Sequence, residues 1–460
     1  MKTKFSTLFY LGLLIFGLHS CQSDDEENYV PVNFTLTEDS FELFQDEPFQ
    51  FNLFDNDAGI PKGATIVFEN LGSGSVTISD PNNTPLNLQD DVITYNASSS
   101  YAETDSFQYK VCDSEGLSCE TAQVSVKIYK PFNIQTAQLP YPKLSDYNFF
   151  YSDMANQEPA PGVLPYKPIS QLFSDYAKKK RFVWMPKGVS AQYVSDGTLL
   201  NFPDGSIIVK TFYYENVLPA NDTKIIETRL LIKNGGQWSF ADYIWDEEQQ
   251  EAILDASGDG ANVEIQWIQD GEQRVVNYRI PSTSQCITCH KSFKQNTPIG
   301  PKPQNLNNMY PFADGDENQL QKWIDTGYLA DNLPGNIETV VDWEDESKDL
   351  TLRVRSYFDI NCASCHIDGG HCDYRDLRLA FNESGEADNL GICMDPQTPI
   401  PGFENKKLIQ PGDPANSILY FRLETTLEEY RMPLLGRTLV HDESLAMIEE
   451  WINSLNNTCD

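Results

Sequence analysis

Histidine and methionine are scarce in this chain, at five and seven of 460 residues. Few positions can therefore ligate a metal through nitrogen or a thioether. Basic residues are also short, 33 against 68 acidic ones, for a formal charge of -35. That deficit excludes nucleic acid as a partner, since a phosphate backbone must be met by clustered Lys and Arg. It favours a well-solvated surface or basic partners. Beyond the first residues no apolar run approaches the ~20 positions a spanning helix needs. Residues 181–281 hold no cysteine, no histidine and no phosphate-binding glycine loop, which removes nucleotide chemistry from that stretch.

What is present is ample material for packed cores. Forty per cent of the chain is apolar and 12% aromatic, and the length suggests roughly three domains. Lys2 and Lys4 precede an apolar run from Leu8 to Leu18 that ends L-H-S-C at Cys21. A basic start and a short apolar core make a targeting segment, residues 1–20, rather than a membrane span. The ending resembles the lipobox of bacterial lipoproteins, with His19 departing from the usual small or apolar residue. The resemblance implies lipidation of Cys21. The run Q-S-D-D-E-E that follows makes residues 21–31 an acidic tether. It also resembles the export signal that sends some lipoproteins to the outer face of the outer membrane. The expected location is thus the envelope of a Gram-negative-type bacterium, as a surface-exposed outer-membrane lipoprotein held by its lipid alone.

Residues 32–130 read as short strands. Phe107, Tyr109 and Val111 alternate, as do Val124, Val126 and Ile128, between Gly, Asn, Asp and Pro clusters. Period-2 alternation with such breaks argues for an all-β sandwich. F-N-L-F-D-N-D-A-G at 51–59 and T-D-S-F-Q-Y-K-V-C-D at 104–113 resemble cadherin-like, immunoglobulin-type repeats of bacterial surface proteins. Asp55 and Asp57 are weak calcium candidates there; a polar turn is the plainer reading. After the proline-rich Q-L-P-Y-P-K at 138–143, residues 140–281 give a second strand series, expected as an antiparallel β-rich domain. From 282 onward helices and loops dominate, with a first module over 282–340 and a mainly α domain over 341–460. Leu350, Val354, Tyr357 and Phe358 recur at helical spacing, as do Leu445, Ile448, Trp451, Ile452 and Leu455, with Asp442 a candidate N-cap.

The informative residues are C-I-T-C-H at 286–290 and C-A-S-C-H at 362–366. Cysteines three apart on a helical turn share a face, so both sulfurs can reach the two vinyl groups of one porphyrin, and the next histidine can bind its iron. That is the pattern of c-type haem attachment. A zinc site would want further paired Cys or His, and a thioredoxin-like pair a βαβ setting. We therefore expect two haem c groups, covalently held by Cys286, Cys289, Cys362 and Cys365, with His290 and His366 as proximal iron ligands. The second motif has the order of class I cytochromes c, which it resembles: a helix, the motif, a Met-Pro loop and a terminal helix. Met432 in R-M-P-L is the distal candidate for that iron, with a gap-filling core methionine as the plain alternative. For the first iron the candidates are Met309 and His441. His371 is a further loop histidine, and an open sixth position stays in play. Among the remaining cysteines, Cys112 with Cys119 and Cys372 with Cys393 are the natural disulfide pairs, leaving Cys459 over.

The segments L-S-D-Y-N-F-F (144–150), F-P-D-G-S-I-I-V-K-T-F (202–212), I-E-T-R-L-L (226–231), P-I-G-P-K (298–302) and M-P-L-L-G-R-T-L-V-H (432–441) resemble a family of dihaem c-type cytochromes from about residue 140 onward. The resemblance implies haem and electron transfer with a redox partner protein, and names no substrate. Two alternatives are an oxidoreductase of the dihaem-peroxidase type with an open first iron, and a surface binding protein whose haems serve a bound partner.

Overall fold

A computed structural model describes residues 29–456, 458 and 459. The targeting segment, the tether and Cys21 lie outside the described residues. The chain divides into two compact units, one ending at Ile128 and the other running from Tyr129.

The first unit is a two-sheet sandwich. Its strands are β1 (Asp39–Phe44), β2 (Phe49–Phe51), β3 (Thr65–Glu69), β4 (Ser75–Ser79), β5 (Val92–Asn96), β6 (Thr104–Cys112) and β7 (Cys119–Tyr129). One sheet runs β1-β7-β6-β3 and the other β2-β5-β4. The alternation in β6 and β7 turns Phe107, Tyr109, Val111 and Val124 into the space between the sheets, where each is at most 1% exposed. Each such side chain contributes about 1.5–3 kcal/mol by leaving water. Cys112 and Cys119 stand opposite each other in the β6–β7 register and are joined, with S–S 2.00 Å.

The second unit is built on an antiparallel sheet. After the short pairs β8 (Phe150–Tyr151) and β9 (Glu158–Pro159) come β10 (Leu164–Pro165), β11 (Lys178–Trp184), β12 (Ile207–Val217), β13 (Asp222–Asn234), β14 (Gln237–Trp245) and β15 (Ala252–Leu254), in that spatial order. β16 (Ala261–Gln269) pairs with β12 and with β17 (Glu272–Ile280). Both faces are covered, so the central strands read as nearly continuous apolar runs. Ile207, Val209, Leu230 and Ile232 pack on one face against Tyr147 and Phe149. Ile208 and Leu231 pack on the other against Trp323 and Leu320.

The helical segments belong to this same unit and are not set apart from the sheet. They are α1 (Thr283–Cys289), α2 (Pro303–Leu306), α3 (Gln319–Asp325), α4 (Leu350–Asn361), α5 (Ala387–Leu390), α6 (Ile418–Glu424) and α7 (Asp442–Ser454). The C-terminal third is therefore not mainly α. Among its described residues only α4 and α7 exceed seven residues, and loops fill the space between them. α4 and α7 do pack together, with Val354, Phe358, Ile448, Trp451 and Ile452 fully buried at their contact. Asp349 caps α4 by accepting from Leu352 N at 3.0 Å. Asp442, expected as a cap, is instead the first residue of α7, where a carboxylate favours the positive end of the helix dipole.

The expected Cys372–Cys393 pair is corrected. Cys393 is bonded to Cys459, S–S 2.06 Å, and Cys372 is a buried thiol. The Cys372 backbone is drawn to Cys365, whose carbonyl accepts from Cys372 N at 3.0 Å. The chain end returns over Gln410, beside Ile409, whose carbonyl accepts from Cys393 N.

Candidate functional site

The first motif occupies α1. Ser282 caps the helix in a reciprocal box with Gln285, which fixes the turn that puts Cys286 and Cys289 on one face. The chain then doubles back, so that Thr297 N donates to His290 O at 3.0 Å. The Thr297 carbonyl lies 2.9 Å from His290 Nδ1. A carbonyl only accepts, so Nδ1 carries the proton and Nε2 keeps its lone pair. Burial, and secondarily the charge of Lys210, push the His290 pKa down to about 3. The imidazole is neutral at physiological pH, as an iron ligand must be.

The second motif follows α4 directly. Cys362 closes that helix through Cys362 N→Phe358 O at 2.8 Å, and His366 N donates to Cys362 O at 3.1 Å. Buried Asp359 anchors the helix end to the P-I-G-P-K segment by accepting from Lys302 Nζ at 2.8 Å and Phe381 N at 3.0 Å. Burial holds the His366 pKa down at about 4, and its Nδ1 is buried with no hydrogen-bond partner.

His366 lines a cavity with Leu379, Leu390, Ile418, Leu423 and Met432. Met432 arrives on a loop held from several sides. Its N donates to Arg422 O at 2.9 Å. The Arg437 guanidinium, 4% exposed, donates to the carbonyls of Met432 (2.8 Å), Arg422 (2.9 Å), Thr425 (3.0 Å) and Leu439 (3.0 Å). Asp175 accepts from Thr438 N at 2.6 Å and Leu439 N at 2.8 Å. Two cysteines, a histidine and a methionine on one apolar cavity suit a covalently held porphyrin. Arg375 and Arg422 on the same lining suit its carboxylates.

A second cavity is lined by Cys286, Cys289 and His290. Its sheet side carries Lys210, Phe212 and Arg229. In register, Lys210 pairs with Arg229 and Arg229 with Asp242. This row of charge crosses three strands, and Asp242 reaches Cys286 Sγ at 3.7 Å. Burial raises the Asp242 pKa to about 7. The sequence reading missed this row. Its trace is a lysine, an arginine and an aspartate inside otherwise apolar strands.

Met309 and His441 line neither cavity. Met309 is 61% exposed. His441 is stacked on Phe173 at 4.0 Å, with Nδ1 3.1 Å from Tyr357 Oη. His371 lines the cavity of the second motif, and the lining of the first motif's cavity holds no methionine and no histidine besides His290.

The two motifs meet. The Cys289 and Cys365 thiols hydrogen-bond each other, and Cys365 also bonds Cys372. Proximity of two C-x-x-C pairs raises the possibility of a four-thiolate ion site. Cys286 turns instead to Asp242, and among the described residues no group of three or more His, Cys, Asp or Glu is arranged to hold a metal ion. A haem needs no such group, because the porphyrin supplies four of its iron's ligands. In the first unit, Asp55 accepts from Asn52 Nδ2 at 2.7 Å, whereas Asp57 accepts from Thr37 N at 2.7 Å and Tyr109 Oη at 3.0 Å.

A search of the curated proteins finds no match to this chain. Solved structures with some likeness include a chimeric titin Z1Z2 carrying a KLER peptide from decorin (9% identity, 54% of this chain and 94% of that one, TM-score 0.16). Titin domains Z1Z2 in complex with telethonin give 9% identity, 54% and 95% coverage and TM-score 0.16. The titin I-band fragment I67-I69 gives 8%, 55% and 98%, and 0.17. Likeness at that level carries no argument. Residues 28–127 match the family model of the bacterial Ig domain. The N-terminal sandwich is accordingly an Ig-like domain of the bacterial type.

Proposed function

We propose that the chain is a dihaem c-type cytochrome that passes electrons at the cell envelope, tethered there by a lipidated Cys21. The observation that carries this reading is the shared cavity of His366 and Met432, walled by Cys362 and Cys365. Histidine and methionine are rare in the sequence, yet one of each lines this apolar space beside a haem-attachment motif. When bound, each haem would supply a one-electron Fe(III)/Fe(II) couple. The protein's part is to hold it. Cys362 and Cys365 anchor the ring and His366 offers a neutral nitrogen. Met432 offers a soft sulfur that favours the ferrous state and raises the potential. At the first motif Cys286 and Cys289 anchor, while Thr297 orients His290. The resemblance to dihaem cytochromes from residue 140 onward supports the same reading. Among the described residues no helix is long and apolar enough to cross a membrane.

A peroxidase-type oxidoreductase is the second reading. It is favoured by the absence of Met or a second His from the lining of the first cavity, and by Lys210 and Arg229 within it. The spectrum of the oxidised protein decides between the two. Two low-spin irons support electron transfer alone. One high-spin iron that binds cyanide supports the oxidoreductase.

A further inference from the structure

The cavities of the two motifs are not separate compartments. Both are lined by Cys289, Asn361, Ser364 and the loop Pro433, Leu434 and Leu435. Within this common wall the Cys289 and Cys365 sulfurs are in hydrogen-bonding contact. Cys365 Sγ also lies 4.0 Å from the Thr288 carbonyl, on the turn of α1 that carries Cys289. Cys286, the other sulfur of the first motif, points away to Asp242.

We propose that Cys289 and Cys365 form a sulfur bridge between two redox centres, so that the motifs serve one electronically coupled pair. The inference rests on the haem reading of both motifs. Attachment adds each thiol across a porphyrin vinyl group. The sulfur bonds one vinyl carbon, its hydrogen goes to the other, and no electrons are gained or lost. The sulfurs stay where α1 and the turn after α4 hold them, so each ring is fixed through a sulfur that touches the other's. An electron crossing the bridge leaves one iron ferric and makes the other ferrous, with no proton or further reagent required. The irons also feel each other's charge, because little water separates them. The first electron therefore enters at a higher potential than the second.

Electron paramagnetic resonance of the fully oxidised full-length protein tests this, after a haemochrome assay has counted its haem. The bridge predicts signals broadened or displaced by mutual interaction, with an ordinary isolated signal returning when one iron is reduced. Two ordinary ferric signals that ignore each other's redox state would overturn the bridge and leave the haem reading standing. Fewer than two covalent haems per chain would overturn both. Paired variants give a second measurement. Where both haems are retained, Cys289→Ala slows electron exchange between the irons several-fold, whereas Cys286→Ala, which removes a sulfur outside the contact, leaves it unchanged. Equal rates in the two variants would overturn the bridge.

Discussion

At the scale of single residues, Met432 and His441 show how far spacing can be read. Both lie in one ten-residue stretch of sequence, and both were ligand candidates. The loop around Arg437 brings Met432 to the cavity of His366, and packing takes His441 into an aromatic nest of Phe173, Trp343 and Tyr357. Sequence spacing measures reach along the chain but not the direction a side chain takes on arrival. Met432→Ala should abolish the weak near-infrared sulfur-to-iron band of one haem, lower that haem's potential and leave the other unchanged. An unaltered band would return Met432 to the role of core filler. His441 makes a separate prediction through pH. Burial lowers its pKa to about 3, below the ordinary value near 6.5. A depressed folded value means stability that is present above about pH 6.5 and lost as pH falls from there toward 3, at up to about 1.4 kcal/mol per unit. His441→Phe keeps the stack on Phe173 and removes the titrating group. Urea unfolding at pH 6.5 and pH 5 should show the wild type losing about 2 kcal/mol more than the variant. An equal loss in both would contradict a neutral, buried His441.

At the scale of elements, the legible features were those with a local period. The alternation in β6 and β7 and the 3.6-residue stripes of α4 and α7 follow from which face meets a core, and both cores form as those stripes require. The motif turns were legible because C-x-x-C-H fixes its own geometry. The charged row Lys210, Arg229 and Asp242 was not legible, since cross-strand register, not sequence distance, assembles it. The Cys372–Cys393 expectation failed for a similar reason: nearness in sequence ranked above the return of the chain end to Cys393. The loop that carries Met432 is ordered by Arg437, whose four carbonyl partners have no substitute donor of that reach. Removing a buried hydrogen-bonded charge and orphaning its partners costs about 3–5 kcal/mol. Arg437→Ala should therefore free the loop and erase the sulfur-to-iron band while haem stays covalently attached through Cys362 and Cys365. A band of full intensity in a folded Arg437→Ala protein would show that the loop is held by other means.

At the scale of the whole molecule, the division at Ile128 and Tyr129 separates an Ig-like sandwich from the unit that carries both motifs. The sandwich has its own core and its own disulfide, so it should fold alone. In that fragment, Cys112→Ala/Cys119→Ala should cost about 2.5 kcal/mol, the loop-closure entropy of a span of about eight residues. A denaturant midpoint that does not move would contradict a bonded pair. The unit from Tyr129 onward joins sheet and helical segments in one body, and in it two attachment turns far apart in sequence come to share a wall. Everything proposed for function depends on what those turns hold. The most direct measurement is the number of haem groups that stay with the purified chain after denaturation, read by haem staining on a denaturing gel and by intact mass. The account predicts two covalently bound haems per chain. A chain that sheds all of its haem on denaturation, or that never carried any when made with a cytochrome c maturation system, would contradict it.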